Sequence, residues 1–211
     1  MSKKLQMSES VQKLTELFSK FPGIGPRQAR RFVYHLLEES DGVRSLLAQK
    51  ISALKSEMNR CSSCKRFFST GDAPHQDVCL YCSDTTRDTA VLMVVARDID
   101  LESVEKTGAY RGEYFVLGGQ LRILDKNPES RIRIIELESL LSNSPKLKEI
   151  IIAMSANTEG DYTADYVRQK LLESFPARDL KITVLGRGLS TGTELEYSDS
   201  ETITYALKNR F

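Results

Sequence analysis

Cys61-Ser-Ser-Cys64 and Cys79-Leu-Tyr-Cys82 are two C-x-x-C pairs separated by fourteen residues within a chain of 211. Four thiolates at that spacing can close a tetrahedron around Zn²⁺, each pair supplying two sulfurs from a tight knuckle. Four sulfurs complete the coordination shell, so the expected ion is structural, one per chain. It would brace a module of about thirty residues that is too small to fold on a core of its own. His75, in the loop between the pairs, is then not needed as a ligand. A redox C-x-x-C would normally stand alone at a helix start in a thioredoxin-like pattern, which this sequence lacks. Unconnected reduced thiols are the remaining alternative.

The quartet separates a basic part of the chain from a near-neutral one. Residues 1–60 hold 11 Lys+Arg against 6 Asp+Glu, residues 61–90 hold 3 against 4, and residues 91–211 hold 16 against 19. That gradient suggests a polyanion near the N-terminal part and another partner, such as protein, near the C-terminal part; a merely solvated surface is the plainer reading. Behind the lysines of MSKKLQMSESVQ comes no apolar stretch, and the longest apolar run, Ala90–Ala96, is far too short to span a bilayer. The expectation is a cytoplasmic protein without a signal peptide, in a reducing compartment where four cysteines need a use other than disulfides. With 40% hydrophobic and 28% charged residues and no low-complexity tract, the chain reads as folded, one full domain with small appendages.

Before the quartet, FPGIGPRQARR (21–31) interrupts a helical pattern. Val11, Leu14, Leu17, Phe18 and Phe21 recur at helical spacing, with Ser8 or Ser10 as N-cap and Pro22 as terminator. Ala29, Phe32, Val33, Leu36 and Leu37 form a second apolar stripe, and Pro26 suits a first helical turn because its missing N–H is not needed there. The turn Gly23-Ile24-Gly25 therefore joins two helices. Two glycines around a buried Ile24 would leave consecutive amides pointing outward at a helix start, an anion site. Arg27, Arg30, Arg31 and Tyr34 fall on one helix face beside it, with His35 at the flank as a solvated or locally satisfied histidine. This is the pattern of a helix-hairpin-helix, which grips nucleic-acid phosphates through backbone amides and so ignores base sequence. An ordinary helical hairpin with a basic face is the bland alternative.

After residue 90 apolar strands alternate with helical spacing: 90–96, 114–117, 149–154 and 181–185 read as strands, 101–107, 134–141 and 163–175 as helices. That order predicts an α/β fold with a mostly parallel sheet, helices on both faces, and binding beyond the strands' carboxyl ends. Glu159, Asp161 and Asp165 follow the third strand; a metal or acid–base role competes there with the favourable placing of carboxylates in a first helical turn.

The hairpin stretch, the cysteine pairs, EKTGAYRGEYFVLGG (105–119), TEGDYTADY (158–166) and GRGLSTGTELEYSDSETITYAL (186–207) occur in an order that resembles the bacterial RecR recombination mediators over nearly the whole chain. The resemblance implies a helix-hairpin-helix over 1–55, a four-cysteine zinc finger over 56–85, a Toprim-type domain over 86–186 and a C-terminal assembly segment over 187–211. It implies ring-like homotetramers that clamp single-stranded, double-stranded or gapped DNA, and that act with RecO, and in many bacteria RecF, to load RecA. Gly23, Ile24, Gly25, Arg27, Arg30 and Arg31 match the DNA-binding hairpin, Cys61, Cys64, Cys79 and Cys82 the metal site, and Glu159 and Asp161 an acidic patch for RecO. Toprim enzymes hold Mg²⁺ with a glutamate after the first strand and a D-x-D after a later one. Those positions fall here at Ala96 and Ser155-Ala156-Asn157, so no catalytic residue is expected. A Toprim or helix-hairpin-helix DNA-processing enzyme, with Asp41 or a nearby lysine in play, and a zinc-ribbon RNA-binding protein are the competing readings.

Overall fold

A computed structural model describes residues 8–69, 71, 77–124 and 126–210. His75 lies outside the described residues. The chain divides into two compact units, Met1–Ser56 and Glu57–Phe211.

In the first unit, α1 (Glu9–Phe18), α2 (Pro26–Glu38) and the long α3 (Asp41–Glu57) follow one another. Ser8 caps α1, its hydroxyl accepting from the Val11 amide. The helix ends at Phe18, short of the expected Phe21, because a residue preceding proline is pushed out of the helical region. The amides of Lys20 and Phe21 instead close tight turns onto Leu17 and Phe18. Phe18 packs edge-on against Phe32 at 6.0 Å between ring centres, pinning α1 to α2 around buried Ala29 and Val33. Ile24 is half-buried, not buried as expected, and Leu37 is exposed.

The second unit opens with an antiparallel hairpin, β1 (Met58–Arg60) and β2 (Phe67–Ser69), and a short helix, α4 (Leu80–Ser83). Then β3 (Asp88–Val95), α5 (Asp98–Glu105), β4 (Gly112–Val116), α6 (Ile134–Ser142), β5 (Glu149–Ala153), α7 (Thr158–Ser174) and β6 (Lys181–Val184) alternate. The strands form a parallel sheet in the order β4-β3-β5-β6. Strand alternation sorts the core. Leu92, Val94, Phe115, Ile150 and Ile152 face a cluster containing Leu137 and Leu141 of α6 and Val167 and Leu171 of α7. Met93, Val95, Tyr114 and Val116 face the other way, onto Leu101 of α5 and onto Cys61, Cys64, Phe68 and Cys79. The cysteine module thus closes one face of the sheet together with α5, where the sequence had suggested helices alone.

Helix α7 starts at Thr158, five residues before the expected 163. Asn157 caps it, its side-chain oxygen accepting from the Gly160 amide at 2.8 Å, and Gly160 fits against Ser155, whose carbonyl oxygen would lie 2.0 Å from an added Cβ. The last helix, α8 (Ser200–Lys208), is capped by Asp199, which accepts from the Thr202 amide at 2.9 Å. Among the described residues no helix is long and apolar enough to cross a membrane.

Candidate nucleic-acid interface and metal centre

Pro22 and Gly23 occupy the two corner positions of a tight turn closed by the Ile24 amide on the Phe21 carbonyl, 3.1 Å. Gly23 has φ +75°, which the third residue of a type II turn requires. That bond corrects the expected row of outward amides, because the Ile24 N–H is spent inside the turn. Gly25 has φ −81° and serves as N-cap of α2, accepting from the Ala29 amide at 2.9 Å. Its backbone could belong to any residue, and an added Cβ would meet nothing within 4 Å. A side chain here would therefore disturb only something approaching from outside. No side chain caps α2, so the donors of its first turn face outward at the positive end of the helix dipole.

Beside this end lies a groove of about 640 Å³ lined by Thr15, Pro26, Arg27, Arg30, Arg31, Tyr34, His35 and Glu38. Arg31 reaches Gln28 at 3.3 Å, and the Arg30 guanidinium stands 6.0 Å from the centre of the Tyr34 ring. His35 pairs with Glu39 at 3.4 Å at the flank. The structure brings the three arginines and the bare helix start onto one surface.

The four cysteines converge. Cys61 and Cys64 occupy the turn of the β1–β2 hairpin, where the Lys65 amide donates to the Cys61 carbonyl and Lys65 itself takes φ +65°. Cys79 is the N-cap of α4 and Cys82 lies one turn on, its amide donating to the Cys79 carbonyl at 3.0 Å. All four sulfurs lie within 4.8 Å of one another, and those of Cys64 and Cys79 are 3.6 Å apart. Tetrahedral Zn–S bonds of about 2.3 Å put sulfurs about 3.8 Å apart, so the donor set has the size of a single-ion site. Around an iron–sulfur cluster the four cysteines are divided among two or more irons, and those on different irons stand farther apart. The Cys79 amide donates to the Cys61 sulfur at 3.3 Å, the contact that stabilises a thiolate. Cys64 first, then Cys79 and Cys82, hold the Cys61 thiol well below its ordinary value by donating to it, while Cys61 pushes the Cys64 and Cys82 thiols up.

Two attachments that the sequence did not signal fix this module to β4 and to the start of α5. The Val116 amide donates to the Cys64 carbonyl at 2.8 Å, and the Phe67 amide to Asp98 at 2.7 Å. Tyr81, between the second cysteine pair, lies under the guanidinium of Arg66 at 4.5 Å and of Arg87 at 5.0 Å. Arg87 is buried, ion-paired to Glu105 and donating to the Gly112 carbonyl.

At the carboxyl end of the sheet, Ala96 is buried and offers no ligand, and Asn157 is committed to capping α7. Among the described residues the four cysteines are the only group of three or more His, Cys, Asp or Glu side chains placed to share an ion. Glu159 and Asp161 sit in the first turn of α7. Glu159 is exposed, but Asp161 is held by both terminal nitrogens of Arg187. Arg187 in turn stacks 5.1 Å from the Tyr205 ring and accepts at its carbonyl from Asn209 at 2.6 Å. This pairing, invisible to any spacing rule, ties the C-terminal segment to α7.

Three family models match the chain: RecR helix-hairpin-helix over residues 11–55, Toprim domain over 90–185 and RecR C-terminal over 188–210. A protein of Oenococcus oeni named Recombination protein RecR is 36% identical over 206 residues, 98% of each chain. Those of the same name from Mesorhizobium japonicum and Treponema pallidum are 35% identical, covering 100% and 97% of this chain and 98% and 96% of their own. With a helix-hairpin-helix, a four-cysteine cluster and a parallel Toprim sheet in that order, the chain belongs to the RecR family of recombination proteins.

Proposed function

We propose that the chain is a non-enzymatic clamp subunit in recombinational DNA repair, binding gapped or single-stranded DNA without regard to sequence and assisting RecA loading together with RecO and, where present, RecF. The observation that carries this is the uncapped start of α2 beside three arginines, with Gly25 open on its outer side. Phosphates fit that arrangement because helix amides and guanidinium groups both recognise them without reading bases. Gly23 sets the turn, Ile24 anchors it, Gly25 admits the phosphate, and Arg27, Arg30 and Arg31 meet its neighbours.

The working parts are taken as 1–55 for DNA, 56–85 for zinc, 86–186 for the Toprim scaffold and 187–211 for assembly into a homotetramer ring in the cytoplasm. Cys61, Cys64, Cys79 and Cys82 would hold one Zn²⁺ per chain, which supplies cross-linking and no open position for chemistry. Glu159 offers a charge to a basic partner such as RecO, and Asp161 joins it only in competition with Arg187. Lack of catalysis is supported by Ala96 and the capping role of Asn157, since Mg²⁺ chemistry needs carboxylates at those positions. Binding of two gapped duplexes of unrelated sequence tests the reading: equal affinities, lost together in Gly25→Ala with folding intact, are expected. Retained binding in that variant, or strong preference for one sequence, overturns it.

A further inference from the structure

The zinc-module hairpin carries a second surface suited to nucleic acid, distinct from the α2 groove. Arg60 and Phe67 are cross-strand partners in the β1–β2 ladder, so their side chains share a face. Phe67 is 44% exposed, a large aromatic left on the outside of a three-residue strand whose next residue, Phe68, is buried. The Arg60 guanidinium lies 4.8 Å from the Phe67 ring centre. An exposed aromatic paired with a guanidinium is a sequence-tolerant stacking partner for an unpaired base.

The carboxyl end of β4 carries a second guanidinium. Arg133, at the start of α6, donates from Nη1 to the Val116 carbonyl at 2.9 Å and lies across Gly118, where φ is +98° and an added Cβ would come within 2.8 Å of that nitrogen. The guanidinium is thus seated on backbone at the carboxyl end of β4. Burial, and then the nearby Arg60 charge, disfavour its charged form, while Glu136 and Asp98 oppose that effect. Asp98 is engaged by the Phe67 amide, which orients the hairpin toward the sheet end.

We propose that Phe67 and Arg60 form a single-strand nucleotide site: an unpaired base stacks on the Phe67–Arg60 pair, and its phosphate is met by the Arg60 guanidinium. This rests on the DNA-clamp reading and refines it, because duplex phosphates engage the α2 groove whereas only an unpaired base can use the hairpin face. A gap or single-strand junction would then be distinguished from plain duplex by the zinc module.

The test uses the full-length protein with blunt duplex, gapped duplex and single strand, the unpaired region carrying 2-aminopurine as a stacking reporter. Phe67→Ala should weaken gapped and single-strand binding about tenfold, abolish the fluorescence change, and leave duplex affinity within about twofold. Phe67→Trp should restore both. Arg60→Ala should also flatten the single-strand salt slope by about 0.7, whereas Phe67→Ala should not, since stacking releases no counterions. Metal content and melting temperature of each variant establish that the module is intact. If the wild type binds gapped DNA and Phe67→Ala binds it equally well with an unchanged reporter signal, the site is refuted while the clamp reading stands. Equal losses on duplex and single strand also refute it, and a loss of self-association alone assigns the face to protein contact. A wild type that binds none of the three DNAs refutes the clamp reading and this site with it.

Discussion

Replacing Arg87 by methionine removes a charge from the seam between the cysteine module and the sheet while keeping most of the side chain's apolar bulk. The Arg87 side chain is 6% exposed and its partner Glu105 22% exposed, so the pair sits in a poorly solvated site. Loss of the guanidinium strands the Glu105 carboxylate and the Gly112 carbonyl and removes the cation stacked on Tyr81 and Tyr114. Breaking one side of such a pair costs about 3–5 kcal/mol. For a cooperative unit the size of Glu57–Phe211 that lowers the melting temperature by about 6–20 °C. The pair itself is not optimally satisfied, because Arg87 Nε and Glu105 Oε2 are buried without a hydrogen-bond partner. Arg87→Met combined with Glu105→Leu should therefore recover more than half of the loss. Because Tyr81 separates Cys79 from Cys82, the single variant should also release the metal ion proposed for the four cysteines to a chelator about ten times faster, with those two cysteines alkylated first. Thermal melts together with a colorimetric metal-release assay read both effects. A single variant that melts within about 2 °C of wild type, or a double variant less stable than the single, refutes the reasoning.

Gly23→Ala should cost about 1 kcal/mol in a chemical-denaturation midpoint because φ is +75° there, whereas Gly25→Ala should leave stability unchanged and act only on DNA affinity. Cys82→Ser should remove most of the bound metal measured by atomic emission and, because Cys61, Cys64 and Cys79 share a core with Met93, Val95 and Val116, should broaden the melt of the sheet as well. Burial, and then the neighbouring Asp88 charge, raise the Glu113 carboxyl above its ordinary range, so the folded state holds that proton more tightly than the unfolded one. Its contribution is complete below about pH 4 and declines as pH rises through the folded value; Glu113→Gln should flatten that decline in melts from pH 4 to 8.

Elements whose cause is local were readable in the chain. The strands at 149–154 and 181–185 are found within a residue as Glu149–Ala153 and Lys181–Val184 because apolar runs between polar loops leave little choice. The cysteine spacing and the arginine face of α2 were equally legible, since both follow from fixed geometry over a few residues. Contacts between distant segments were not. Nothing near Asp161 indicates that Arg187, twenty-six residues on, will hold it. Nor does Arg87 announce that it lies beneath Tyr81, because a buried arginine is readable only once its partners are brought together. The hairpin turn misled in a subtler way: the glycines suggested a row of free amides, yet the proline-glycine turn uses the Ile24 amide internally.

The most direct test of the account is the salt dependence of DNA affinity for the wild type and for Arg27→Ala combined with Arg31→Ala. Both arginines line the groove at the start of α2, and each phosphate contact contributes about 0.9 to the slope of log affinity against log salt on duplex DNA. The account predicts that the double variant loses binding at moderate salt and, at low salt, shows a slope flatter by about 1.8 per engaged hairpin, equally for unrelated sequences and with metal content unchanged. An unchanged affinity with an unchanged slope would contradict it and move the DNA path to another face of the protein.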